Sequence, residues 1–268
     1  MTTDPPPPRR KWHLQRWLLL LAAGSLAYGG WTQYAFRAAL KGAEALGWRV
    51  EYIEPVEMIR RNWKAAFEKE TWADGVRHVG IVNGDQFGQN RDIVQRLNPK
   101  WLDIDDTKNL RDLSALKGLT RLETLQILRA PNLTSVDELK NLTGLKVLDI
   151  MYCTGLKNVD ALKSLTSLTR VRLECFTELT NVDGLRRLTE LKSLALSACT
   201  GLTNVDELKN LSALREVFLD RCTGLTNVDG LKGLQTLRYL YLDHCTGLTK
   251  ESVAALRAAL PKTQIHIP

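Results

Sequence analysis

From residue 99 onward the apolar side chains of this chain fall into columns. Rows of 23 residues beginning at Pro99, Leu122, Leu145, Leu168, Leu191, Leu214 and Leu237 align without an insertion or deletion. The third residue after each start reads Leu102, Leu125, Leu148, Val171, Leu194, Val217 and Leu240. The fifth reads Ile104, Ile127, Ile150, Leu173, Leu196, Leu219 and Leu242. Two apolar residues spaced by one predict a short strand with a single buried face. The column ten after the start (Asn109, Asn132, Gly155, Glu178, Gly201, Gly224, Gly247) predicts a turn, because Gly and Asn tolerate positive φ. A third apolar column follows at Leu110, Leu133, Leu156, Leu179, Leu202, Leu225 and Leu248. Fifteen after the start come Ser114, Asp137, Asp160, Asp183, Asp206, Asp229 and Ser252, all helix N-cap types, with Leu-x-x-Leu behind them in the first six rows. Each row therefore predicts a strand, a tight turn, a short helical or 3-10 segment and a return. Such units bury their apolar columns only by stacking on one another.

The segments "LKSLALSACTGL" (191–202) and "LREVFLDRCTGL" (214–225) resemble the leucine-rich-repeat pattern Leu-x-x-Leu-x-Leu-x-x-Asn/Cys-x-Leu, with one extra residue before the last leucine. The short row and its "LTNVDELKNL" half look most like bacterial internalin-type repeats that carry cysteine at the ladder position. The resemblance covers seven rows, 99–259, and "LPKTQIHI" within 260–268 looks like a closing strand. It implies an α/β fold: a right-handed solenoid with a parallel concave sheet and short helices or 3-10 segments on the convex side. It also implies a recognition scaffold without catalytic activity.

The column eight after the start reads Thr107, Ala130, Cys153, Phe176, Cys199, Cys222 and Cys245. Coils of a parallel sheet stack at about 4.8 Å, so each column residue must fit its own copies above and below. A small thiol or hydroxyl suits the exit from the strand, where it can bond turn backbone. Cys153, Cys199, Cys222 and Cys245 thus form a structural ladder. Their uniform spacing is unlike a disulfide framework, and parallel Cβ directions disfavour bridging.

Upstream, Val76, Val79 and Ile81 keep the register of a degenerate first coil, 76–98, whose pattern dissolves after Gly84. An amphipathic helix is predicted at 55–70 (Val56, Ile59, Trp63, Ala66, Phe67 on one face), preceded by the strand-like "WRVEYI". Residues 37–98 thus read as a helical linker and cap for the open end of the solenoid. At the other end Ser252–Leu260 reads as a longer helix.

Residues 17–36 carry no charged side chain, which is long enough for a transmembrane helix. The denser core at Trp17–Ala23, followed by Ser25 and Ala27, equally fits a cleaved signal segment. Arg9, Arg10, Lys11 and Arg16 outweigh Arg37 and Lys41 across it, which predicts a cytoplasmic N-terminus (residues 1–16, a proline-rich basic tail) and repeats beyond the membrane. A buried helix of a cytoplasmic adaptor is the remaining alternative.

The charge of +7 is concentrated in this tail, since residues 1–50 alone carry +5. It gives no footprint for nucleic acid, and no basic stripe interleaves with aromatics. No metal-ligand spacing, phosphate loop or nucleophile elbow occurs, so no cofactor, metal or small-molecule substrate is expected. Asp243, His244 and Cys245 are adjacent, but Cys245 faces inward and Asp243 outward, so they do not form a catalytic set. What remains is the exposed sheet face, where the rows stop copying one another. There Phe218, Tyr239 and Tyr241, beside Asp220, Arg221, Asp243 and His244, combine aromatic anchors with charge. A second patch holds Arg170, Arg172 and Glu174. Both are candidate contacts for a protein partner.

Overall fold

The computed structural model describes residues 37–52, 76–81 and 87–267. Among them the paired apolar columns form strands β3 (Trp101–Ile104), β4 (Thr124–Leu128), β5 (Val147–Met151), β6 (Arg170–Glu174), β7 (Ser193–Ala195), β8 (Glu216–Phe218) and β9 (Tyr239–Tyr241). They follow β1 (Arg49–Tyr52) and β2 (Val76–Ile81) and precede β10 (Gln264–His266). The ten described strands make one sheet in sequence order. Every neighbouring pair from β2 to β10 is parallel, and β1 runs antiparallel to β2. From β3 to β9 each residue pairs with the one 23 positions on, as in Leu102 with Leu125 and Leu194 with Val217. The repeat register is thus the register of the sheet.

Leucine columns fill the space behind the sheet, and nearly all their members are completely buried. The return path of each coil is a 3-10 segment: Ser114–Leu116, Asp137–Asn141, Asp160–Ser164, Asp183–Leu185, Asp206–Asn210 and Asp229–Leu231. Three to five residues give too little hydrogen bonding for an α-helix, and the tighter 3-10 turn fits the short row.

Two local expectations are corrected. The Asp column does not cap these segments, because each Asp is itself the first 3-10 residue and caps nothing through its side chain. The acceptor lies two residues earlier. Side-chain oxygens of Asp112, Ser135, Asn158, Asn181, Asn204 and Asn227 receive the N–H two residues on, at 2.7 to 3.4 Å. These are Asx turns and their serine equivalent.

The second correction concerns backbone conformation: a turn does lie at the Gly/Asn column, but not with positive φ. Positive φ, between 51° and 63°, falls at Asp106, Arg129, Tyr152, Cys175, Ala198, Arg221 and His244, three residues before the Gly/Asn column. The glycines serve close approach instead. A Cβ on Gly224 would lie 2.4 Å from the Thr200 carbonyl oxygen of the preceding coil, and one on Gly201 2.6 Å from that of Thr177.

At the N-terminal end the strand-like "WRVEYI" forms β1 (Arg49–Tyr52), paired with β2. Residues 37–45 form helix α1, whose Ala39 and Ala43 enter the core together with Trp48. In register, Val79 and Ile81 pair with Leu102 and Ile104. Where the repeat pattern dissolves, α2 (Arg91–Leu97) replaces a 3-10 return and buries Val94 and Leu97. At the other end α3 (Lys250–Ala259) starts at Thr249, whose hydroxyl accepts from the Ser252 N–H. Among the described residues no helix is long and apolar enough to cross a membrane. The expected membrane segment 17–36 and the amphipathic stretch 55–70 lie outside the described residues.

Candidate partner-binding face

Alternation along each strand sends one residue of every buried pair's flanks to the open face of the sheet. Strand pairing lines up the middle of that face as Asp103, Gln126, Asp149, Arg172, Ala195, Phe218, Tyr241 and His266. The column is polar at one end and aromatic at the other. Phe218 stacks on Tyr241 with ring centroids 4.8 Å apart and planes 6° from parallel, and Tyr241 stacks on His266 at 4.5 Å and 6°. Ring spacing here equals strand spacing, because each ring stands on its own strand. Tyr239, 38% exposed, flanks the stack.

The two sequence patches face each other across β7. That strand and the start of the turn behind it carry only Ser193, Ala195 and Ser197 on the open face, and the result is a trough of about 310 Å³. One wall is Arg170, Arg172 and Glu174; the other is Glu216 and Phe218. Thus Arg170, Arg172, Glu174 and Phe218 are brought to one site. Asp220 adjoins it and interacts electrostatically with Glu174. Asp243 donates its N–H to the Asp220 carboxylate at 3.3 Å. Arg221 and His244 occupy the left-handed turn, past the ends of β8 and β9, and do not line the trough.

Charges on this face are partly desolvated. Arg172 Nε lies 3.4 Å from Glu174 Oε1. Burial nevertheless raises the Glu174 carboxyl above its ordinary range, opposed by Arg172 and reinforced by Asp149 and Asp220. Burial likewise raises Asp220. Asp149 is 4% exposed and takes one hydrogen bond, from Gln126 Nε2 to Oδ2 at 3.3 Å, while Oδ1 has no partner. Its carboxyl is also raised by burial, against the nearby Arg172 and Arg170.

The cysteine ladder lies behind the sheet, away from this face. Cys199 donates its thiol to the Leu173 carbonyl at 3.2 Å, Cys222 to Leu196 at 3.0 Å and Cys245 to Leu219 at 3.0 Å. Each thiol therefore ties its coil to the one before. Cys153 instead donates to Met151 at 3.5 Å, within its own coil. In the same column Thr107 donates its hydroxyl toward the Leu128 and Arg129 carbonyls at 3.5 and 3.3 Å. Burial pushes Cys153 and Cys245 up to about 11 and Cys199 to about 12. The five cysteines are all free, and Cys175 sits half-buried at a left-handed turn position. Among the described residues no cluster of His, Cys, Asp and Glu could hold a metal ion.

Sequence reasoning passed over Ser193, Ala195, Ser197 and Glu216 as site residues, and over His266. The first three were visible as the one row whose face positions are all small. His266 was hidden by register. A true α-helix in the last return adds two residues to the period, so His266 pairs with Tyr241, where a 23-residue step would place it beside Asp243.

No protein-family model and no curated protein sequence matches the chain. Solved structures do. Internalin C2 from Listeria monocytogenes aligns with a TM-score of 0.58 at 22% identity, over 81% of this chain and 94% of that one. The leucine-rich-repeat domain of the type III effector XopL gives 0.52 at 19% identity, over 100% and 98%. Toll, in its complex with Spätzle from Drosophila, gives 0.53 at 13% identity, over 71% of this chain but 30% of that one. The fold is a leucine-rich repeat. In leucine-rich-repeat terms the strands line the open face, the Cys/Thr column is the ladder at the strand exit, and the 3-10 returns form the outer side.

Proposed function

We propose that the chain is a non-catalytic interaction scaffold which binds a protein or an envelope polymer on the open face of its leucine-rich repeats. One observation carries this reading. Buried columns repeat from coil to coil, whereas the face side chains differ in every coil and open a trough beside a stack of aromatic rings. Freedom from copying at exposed positions is what a binding surface requires. The Toll complex shows that a chain of this fold can hold a protein partner. Residues 17–36 would anchor or export the repeats, with the N-terminus in the cytoplasm. A cytoplasmic adaptor is the second reading, favoured by five free thiols.

Two experiments test the reading. Affinity capture with the wild-type chain and with a Phe218→Ser, Tyr239→Ser, Tyr241→Ser variant should differ in the retained partner; identical sets would overturn the face as the binding surface. Protease treatment of intact spheroplasts should cleave residues 50–268. Protection of that segment would overturn export and leave the adaptor.

A further inference from the structure

The aromatic stack on the open face is incomplete. It runs His266, Tyr241, Phe218, with nearly parallel planes and 4.5 and 4.8 Å between centroids. The next member of the column is Ala195, and beyond it Arg172. Ala195 is 8% exposed and its methyl is too short to reach the level of the rings. The outer face of Phe218 therefore opens into the trough, opposite Arg172. The strands bearing Phe218 and Arg172 are two steps apart, roughly 9.6 Å. That leaves one vacancy, of the thickness of a planar group, at the spacing the stack already uses.

We infer that this vacancy receives one aromatic side chain of a protein partner, seated over Ala195 between the ring of Phe218 and the guanidinium of Arg172. The inference rests on the reading of the open face as the binding surface and names what it takes. A neutral ring gains stacking on one side and a cation on the other. Arg172 Nε lies 3.4 Å from Glu174 Oε1 and its Nη1 donates to Met151 Sδ on β5 at 3.9 Å, so the guanidinium turns from Met151 onto the ring when the socket fills. The lining balances Arg170 and Arg172 against Glu174 and Glu216, so charge selects no occupant and the open ring face of Phe218 does. Ser193 and Ser197 at the ends of the floor offer hydroxyls to the rim of a tyrosine or tryptophan. The small row of β7 is thus read as the socket that the two larger rows on either side enclose.

The test uses a random linear peptide library displayed against the immobilised full-length chain, counter-screened on an Ala195→Phe variant that supplies the missing ring in cis. The expected result is a selected set sharing one aromatic residue, retained by wild type and released by Ala195→Phe. Replacing that peptide residue by alanine should weaken binding about tenfold, the scale of one stacking and one cation–π contact. Arg172→Gln should weaken the aromatic peptides by a smaller factor. Circular dichroism and thermal melting confirm that Ala195→Phe is folded, with a melting temperature equal to or above wild type. Should it fail to fold, Phe218→Leu replaces it, keeping bulk but losing the ring face, and should release the same peptides. Selected peptides that compete for the trough with an aliphatic or charged residue in common would overturn the inference and leave the binding face standing. So would peptides that Ala195→Phe still binds but Tyr239→Ser does not. Peptides indifferent to all these variants, or none selected, would overturn both.

Discussion

Cys199 and Cys222 show how a single residue type can be fixed by its own copies. Each thiol is buried and donates to a backbone carbonyl of the preceding coil. Keeping it neutral in the fold sets a pH limit. The unfolded thiol loses its proton near 9.0, whereas the folded one holds it to about 12 at Cys199 and about 11 at Cys245. Below 9 both states are protonated and nothing changes; above it the unfolded state releases protons first, so stability falls as pH rises from about 9 to about 11 for Cys245 and to about 12 for Cys199. Urea midpoints at pH 7.5 and 10.5 should show this fall. A Cys199→Ser, Cys222→Ser double variant keeps the donors, as Thr107 does naturally, and should flatten the slope. A second residue-level prediction separates two uses of small residues. Gly224→Ala should destabilise by about 1–3 kcal/mol, because main chain of adjacent coils must part. Ala198→Gly should stabilise by about 1 kcal/mol, since Ala198 holds φ 58° with a Cβ. From the sequence alone a repeated glycine signals constraint without its kind: close approach and left-handed backbone select the same residue.

At the scale of the element the same ambiguity decided which residue caps the return. "TNVDGL" offers two acceptors, Asn227 and Asp229, and both are good cap types. The structure selects Asn227, whose Oδ1 takes the Asp229 N–H at 2.7 Å and whose Nδ2 reaches Asp206 of the preceding coil at 3.3 Å. Asn227→Ala should therefore cost about 0.5–2 kcal/mol by chemical denaturation, and Asp229→Ala markedly less. Equal costs would return the capping role to the Asp column. The strands were legible to the residue because period-2 alternation with 23-residue copying has one register. The returns were legible as positions but not as caps, since a 3-10 segment begins where an α-helix would still be capping. The trough was half legible: Arg170, Arg172, Glu174 and Phe218 stood out by size and charge. Its floor of Ser193, Ala195 and Ser197 is defined by lacking both, and only the register of neighbouring coils reveals it as a cavity.

For the whole molecule, contacts run from coil to coil, so stability behaves as a chain of nearest-neighbour terms and the ends matter most. The two ends differ. At the start, β1 pairs antiparallel with β2, and Ala39, Ala43 and Trp48 join the core. At the finish, α3 buries Leu256, while Leu242, Leu248, Val253 and Ile267 line a depression of about 320 Å³ between α3 and the last coil. The second seal is thinner. It also sets the stack on the open face, because the two residues that α3 adds to the period place His266 against Tyr241. Leu256→Ala should cost about 2–5 kcal/mol locally, the range for emptying a buried leucine site. In native-state hydrogen exchange the amides of β9 and β10 should then open well before those of β4 to β6, whose protection should stay near wild type. The same variant should loosen the His266–Tyr241 stack through β10 while leaving Ala195 and Arg172 in place. If instead all strands lost protection together, the coils would be coupled globally, and the seal at one end could not be tuned without unfolding the binding face.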